Sequence, residues 1–498
     1  MEPGRQRKLV TSAVLLGMFL AALEATAVAA AVPTAVGELG GVSRYSWVFA
    51  VYLLTSTTTV PLFGKLADLY GRKKTYQWAV FFFLLGSALC GVARTFTQLI
   101  LFRAIQGLGA GGVMPVAITI TGDIYKLEER GRIQGLFSAV WALASLTGPL
   151  VGGLITDALS WRWIFYLNVP FGLVSAWMLQ RYLHEEKART EHKLDILGTV
   201  SLTAAVTLLL LALIEGPEAW GWADARTLGI LAGSAVGLAV FFWQERRAPE
   251  PMLPLDLFQN RLIAVASLGN VLLGALLFAI TAYVPMFAQG VLGGTAVDAG
   301  TILTPILIGW PIASTIAGRL LMRVGYRSMS ICGGVMVVAG ALMLARTGAG
   351  TTRIEVMAAM LIIGLGLGFL SMPYMLGVQN AVPWNRRGVA TSSVQFFRNI
   401  GGAVAVAALG ALMSSRLERM AGRGIDVNAA LDPALRSRLA PQALHQLTSA
   451  LLHGLQAVFI ALAALSVASL GVALLFPRGS TRSLTYQERE PASPQPLS

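Results

Sequence analysis

The chain has 498 residues, 55% hydrophobic and only 13% charged, with a mean hydropathy of +0.66; a soluble protein carries about 25% charged residues, so a water-soluble fold is excluded. The net charge of +13 and pI of about 10.1 suggest nucleic acid only at first sight. The cations are spread over many short loops instead of gathered on one domain, as helix-orienting charges facing anionic headgroups are.

The apolar residues come in runs of roughly 19 to 28, and a helix rising about 1.5 Å per residue needs about 20 to cross about 30 Å of hydrocarbon. Strands of a membrane barrel read as alternating segments of about ten residues, a pattern this sequence lacks. The expected fold class is therefore an all-α polytopic membrane protein with about fourteen spanning helices.

The first run, 10–35, follows the basic start MEPGRQRKLV without a small-residue cleavage site and contains Glu24, so it reads as a retained helix, not a leader. Runs 45–67, 76–94, 96–122, 132–157 and 163–183 complete a first set of six. The charged stretch 184-HEEKARTEHK-193 separates them from 195–215 and 226–243, and 244-QERRAPEPMLPLDLFQNR-261 closes that pair. Six more follow at 262–289, 296–318, 328–346, 354–381, 388–414 and 452–476. The expected organisation is a first bundle over 1–183, a linker with two extra helices over 184–261, a second bundle over 262–477 and a disordered tail over 478–498, rich in Pro and Ser. The loop 415–451 mixes apolar and polar residues at helical spacing and is expected to form a short interfacial helix.

Loop cations set orientation. An N-terminus on the inside puts Arg5, Arg7, Lys8, Arg72, Lys73, Lys74, Arg246, Arg247, Arg323, Arg327, Arg386 and Arg387 on the cytoplasmic side. A multi-pass protein of the inner membrane with both termini cytoplasmic is expected.

An ionisable side chain inside a spanning helix costs roughly 2.5–3.5 kcal/mol on insertion scales and marks function. Glu24, Arg103 and Arg398 sit well inside their runs. Glu24 lies about 24 Å above Lys8 and Arg103 about 14 Å below Arg94 by helical rise, so the two share a depth at which they can pair. Desolvation makes a carboxylate hold its proton more tightly and a neighbouring Arg makes it let go. Proton exchange at Glu24, with Arg103 as its switch partner, follows as an expectation; a static pair that specifies packing is the alternative. No partner for Arg398 can be named from the sequence.

The second set of six has almost no buried carboxylate, and a substrate pocket there would be lined by Phe278, Tyr283, Met286, Trp310, Tyr374, Gln379 and Arg398. Aromatic and Met side chains suit repackable binding, and any helix bundle also contains them. Cys90 and Cys332 lie in separate runs, and His184, His192, His445 and His453 lie at interfaces, so no disulfide, metal site or cofactor is expected. No phosphate loop or nucleophile elbow is present either, so an enzyme is not expected.

At 64-GKLADLYGRKK-74, Gly64 and Gly71 allow a tight interhelical turn, Asp68 sits at the membrane surface and three cations follow. A weak echo, 318-GRLLMRVGYR-327, lacks the Asp. The first stretch resembles the signature loop of the major facilitator superfamily. The stretches 103-RAIQGLGAGG-112 and 147-TGPLVGG-153 resemble its fourth- and fifth-span motifs, the latter, with Gly148, Pro149, Gly152 and Gly153, being the one associated with antiporters. The stretches 161-WRWIFYLNVPFG-172 and 398-RNIGG-402 and the two extra helices resemble its fourteen-span drug and proton antiporter branch. In 23-LEATAVAAAVP-33, Glu24 stands where that branch usually shows Asp, and Ala144 replaces a usual Gly.

The resemblance implies two six-helix bundles working by alternating access, and export of an amphipathic or lipophilic compound in exchange for protons, as in multidrug efflux and antibiotic resistance. Length counting and resemblance together bring Asp68, Arg72 and Asp123 into a cytoplasmic latch. Expected partners are protons, the small substrate and membrane lipids, with no nucleic acid, and the chain is expected to be a monomer. The alternatives are export of a native lipid or secondary metabolite, or a membrane sensor or enzyme on the same scaffold.

Overall fold

The computed structural model describes residues 3–477 except 126, 186–194, 217–219, 250, 252, 349, 384–385, 422–435 and 437–439. The 478–498 tail and most of the 184–193 linker thus lie outside the described residues, as does the side chain of Asp68.

Fourteen long helices occupy the described residues, with no strand among them. They are α1 (Pro3–Leu39), α2 (Tyr45–Tyr70), α3 (Arg72–Gly91), α4 (Phe96–Ile124), α5 (Leu127–Ala158), α6 (Arg162–Tyr182) and α7 (Ile196–Glu215). The rest are α8 (Ala225–Glu245), α9 (Arg261–Met286), α10 (Ala296–Val324), α11 (Tyr326–Ala345), α12 (Arg353–Asn380), α13 (Arg387–Ala421) and α14 (Pro441–Leu474). Each apolar run became one helix, as backbone groups in hydrocarbon must be satisfied within their own segment.

Eleven of the fourteen are long and apolar enough to cross a membrane by length and composition alone. The other three, α3, α5 and α6, are less apolar over their described residues. Arg72, Lys73 and Lys74 open α3, and Arg162 and Arg181 stand at the two ends of α6.

Packing repeats along the chain. Helix α1 lies on α5 and α6, α2 on α4, and α3 on α4 and α6; eight helices later α9 lies on α13 and α14, α10 on α12, and α11 on α12 and α14. The two sets meet where α5 crosses α10 and where α13 crosses α2. Helices α7 and α8 pair with each other, and α7 fills the outside of the α2–α13 seam. Glu215 at its end ties it there, accepting from Trp47 Nε1 at 3.2 Å and pairing with Arg44 at 3.3 Å.

The sequence echo is a backbone echo. Gly71 ends α2 at φ 91°, ψ 151° and Gly325 ends α10 at φ 85°, ψ 161°, and each opens the next helix one residue on. That left-handed turn is open to glycine at little cost. Gly64, by contrast, lies inside α2 with nothing within 4 Å of a Cβ built on it, so only one glycine of the pair forms the turn.

Most of the stretch expected to hold a short interfacial helix, 422–435 and 437–439, lies outside the described residues, and Arg436 between them is helical. Residues 415–421 continue α13, and α14 already starts at Pro441, with Pro in its first turn. Proline is tolerated there because the first N–H groups have no intrahelical partner.

On the face where α1 starts and α14 ends, Arg386 makes two bonds to Asp256, at 2.6 and 3.0 Å, joining the linker before α9 to the turn before α13. The Arg386 guanidinium holds the Asp256 carboxyl below its usual value. The pair is largely solvent-exposed, and exposed pairs contribute about 0.2–1 kcal/mol. Asp256→Asn should therefore lower the thermal midpoint in detergent only slightly at pH 7. Because the folded pKa is depressed, this contribution is present above the unfolded value of about 3.9 and fades as pH falls through the folded one, so wild type and variant should converge on acidification.

Candidate functional site

Glu24 lies in the middle of α1, 1% exposed, with a partner on each oxygen. Oε1 accepts from Arg103 Nη1 of α4 at 2.6 Å, and Oε2 accepts from Asn168 Nδ2 of α6 at 2.6 Å. Arg103 also donates to Gln106 Oε1 at 2.7 Å and to the Val48 carbonyl at 3.3 Å, and its guanidinium lies 4.0 Å from the centre of the Tyr52 ring. Ser87 of α3 closes the network: it donates to the Phe165 carbonyl and accepts from both Asn168 and Gln106. Five helices thus place every polar group against another, as a buried charge requires.

Depth counting put Glu24 and Arg103 at one height, and the structure joins them. Asn168, Gln106 and Ser87 were not singled out in the sequence. Their signal was weak, since a neutral polar residue in an apolar run is common, although Asn168 lies within a stretch used for the family resemblance.

A narrow crevice between α1, α5 and α6, bordered by Leu23, Ala27, Ile155 and Leu167, reaches Glu24 and Asn168. Its α5 wall carries the Gly/Pro stretch. A Cβ on Gly148 would stand 1.9 Å from Thr26 Oγ1, and one on Gly152 would stand 2.5 Å from the Ala27 carbonyl, both on α1. Gly153 faces the other way, where its Cβ would lie 2.6 Å from the backbone of Ala296 and Val297 at the start of α10. These glycines set α1, α5 and α10 backbone against backbone. Pro149 lies inside α5, where it removes one helical hydrogen bond.

The two sets of helices also bond across this end. Asp157 of α5 accepts from the Ala296 and Val297 amides at 3.1 Å each, at the N-terminus of α10, where free N–H groups and the helix dipole favour a carboxylate. Thr34 donates to Gln289 Oε1 at 2.9 Å, and Gln289 donates to the Ala30 carbonyl at 2.7 Å. None of these three residues was expected as a bridge.

At the opposite end, Arg72 Nε lies 3.0 Å from Asp123 Oδ2. Glu185, which sequence reasoning passed over, accepts from the Arg72 and Lys73 amides at 2.6 and 3.1 Å and so covers the N-terminus of α3. The third member of the expected latch, Asp68, falls on a side chain outside the described residues.

The expected pocket comes apart. Tyr283, Met286 and Tyr374 have no exposed surface. Tyr283 donates to the Val406 carbonyl at 2.6 Å, and Tyr374 stacks on Phe476 of the last turn at 5.5 Å. Large apolar side chains pay best inside a bundle core, and these three serve packing there. Phe278, Trp310, Gln379 and Arg398 remain partly open. Gln379 donates to Thr391 at 3.1 Å.

The family model described as Major Facilitator Superfamily matches residues 14–406. The chain belongs to the major facilitator superfamily. This major facilitator is 34% identical to "Multidrug resistance protein 3" of Bacillus subtilis over 97% of each chain. It is 39% identical to "Multidrug transporter protein MdtP" of the same organism, over 83% of this chain and 77% of that one. In three dimensions it is similar to a bacterial homologue of the human lysosomal transporter Spinster in an inward-facing, unoccupied conformation, with a TM-score of 0.67, 14% identity, and 97% and 99% of the two chains covered. The relatives are multidrug transporters, and the fold is that of a multi-pass membrane transporter.

Proposed function

We propose that this chain is a proton-coupled antiporter that exports amphipathic or lipophilic compounds across the inner membrane by alternating access, with fourteen spans, both termini cytoplasmic and the chain acting as a monomer. The Glu24–Arg103–Asn168 cluster carries this reading. A carboxylate fully enclosed among five helices, yet touching a crevice beside α5, can exchange a proton only when the helices around it move.

Separation from Arg103 leaves the carboxylate uncompensated out of water, and taking up a proton relieves that cost. Proton occupancy of Glu24 is thereby tied to the arrangement of α1, α4 and α5. The bridges from Asp157 and Gln289, which join the two sets of helices, would break as that end opens; on the proposed orientation they close the outer side. The identities of the multidrug relatives favour a drug-like cargo over a single nutrient.

The test is efflux of a lipophilic dye from proteoliposomes under an imposed pH gradient. Wild type should concentrate the dye against its gradient, and Glu24→Gln should lose the gradient-driven component by at least about 100-fold while keeping dye binding. Undiminished uphill transport by Glu24→Gln would remove Glu24 from the coupling role.

A further inference from the structure

Arg398 lies eleven residues into α13 and five residues into the apolar span Ser393–Leu417 that the helix contains, about 8 Å along it by the helical rise. Among the described residues its side-chain partner is Gln395 one turn earlier on the same helix, to which Nη2 donates. Its Nε is buried without a hydrogen-bond partner, and no carboxylate among the described residues pairs with it. An intramembrane cation is costly to keep and is ordinarily paired. Among the described residues, a neutral amide is what holds this one.

The helix around it sorts into two faces. Phe396, Phe397, Ile400, Val404 and Ala407 pack outward with the α7 side of the molecule. Helical spacing puts Gln395, Arg398 and Asn399 on the other side, where Gln395 donates to Asn399 Oδ1 at 2.8 Å. Gln395 is exposed and the other two are partly open. The backbone of Arg398 is pressed against Gly274 of α9, and α2 of the first set lies across the same helix. The polar face therefore looks into the space between the two sets of helices, not into lipid.

We infer that Arg398, presented by Gln395 and Asn399, is the recognition point for an anionic or strongly hydrogen-bond-accepting group on the transported compound, such as a carboxylate or phenolate on an apolar body. The inference deepens the efflux reading and rests on it. In the first set of helices, both oxygens of the buried carboxylate Glu24 are taken by Arg103 and Asn168. A planar guanidinium with free donors matches a carboxylate with two parallel bonds, and Phe278 of α9, in contact with Gly402 one turn on, supplies apolar surface beside it.

Three probes with the same pyrene body separate charge from lipophilicity: 1-pyrenebutyrate, its neutral amide and the corresponding butylamine. Binding to the purified full-length protein in detergent is read by fluorescence anisotropy at pH 7.5. Wild type should bind the carboxylate about tenfold tighter than the amide and the amine most weakly. Arg398→Gln should remove the preference for the carboxylate and leave amide affinity within about twofold, which also reports that the variant is folded. Arg398→Lys should keep the preference.

Tightest binding of the amine by wild type, or an unchanged carboxylate-to-amide ratio in Arg398→Gln, would overturn the inference. If Arg398→Gln binds none of the probes, Arg398→Lys decides, and its failure to prefer the carboxylate also overturns it. No proton gradient enters these measurements, so they stand apart from the antiport reading. Anion preference without gradient-driven efflux counts against antiport alone, whereas gradient-driven efflux of the amide without anion preference counts against this inference alone.

Discussion

Arg103→Ala is expected to destabilise the protein by about 3–5 kcal/mol, the range found when one partner of a buried ion pair is removed. The loss has more than one part. Glu24 Oε1 loses its charged donor, Gln106 loses the group that bonds its Oε1, and the Tyr52 ring loses the guanidinium 4.0 Å from its centre. Asn168 alone would remain on the carboxylate.

Most of that cost comes from stranding a charge, so removing the charge as well should restore stability. Arg103→Ala combined with Glu24→Gln is expected to recover more than half of the loss, a non-additivity that contacting residues show. Cys90, buried beside this network, provides the readout: in a Cys332→Ser background, heating in detergent with a thiol-reactive dye follows its exposure. A double variant no more stable than Arg103→Ala would show that the loss comes from packing and not from charge.

Gly300→Val is expected to cut transport at least about tenfold by forcing α5 and α10 apart. A Cβ on Gly300 would lie 2.1 Å from the Pro149 carbonyl oxygen, a backbone atom that cannot rotate away. Gly153 makes the reciprocal approach from α5 to the start of α10, so the two helices meet with no side chain between them. Separating them also lengthens the Asp157 bonds to Ala296 and Val297.

The state in which this end is closed should become scarce. A Thr34→Cys reporter, placed where Thr34 now bonds Gln289, should label faster with a membrane-impermeant maleimide in Gly300→Val. Gly318→Ala, on the same helix with open space around it, is the control and should change neither labelling nor transport. Equal labelling in wild type and Gly300→Val would mean that the α5–α10 contact does not close this end.

Most of the architecture was legible in the sequence because it depends on local quantities. Run length against hydrocarbon thickness gave the helices, and their order gave the expectation of six, two and six. The depth of Glu24 and Arg103 followed from helical rise alone. The turn at Gly71 and its echo at Gly325 were legible because only glycine adopts that backbone readily.

What a side chain faces around its helix axis is a different matter. Most residues of a spanning run are apolar, so hydropathy does not tell a core-facing position from a cavity-facing one. The same indifference placed Tyr283, Met286 and Tyr374 in a pocket when they belong to the core, and left Asn168, Gln106 and Ser87 unremarked.

By itself, then, the sequence determined that this protein is a bundle of spanning helices with a carboxylate and a guanidinium at matching depth, because thickness and rise are one-dimensional constraints. Only the tertiary structure decided that Asn168 and Arg103 share Glu24, that Gly153 and Gly300 bring α5 onto α10, and that no carboxylate among the described residues pairs with Arg398. Those outcomes depend on how helices far apart in the chain are rotated against one another, a choice made by close packing that no single segment contains.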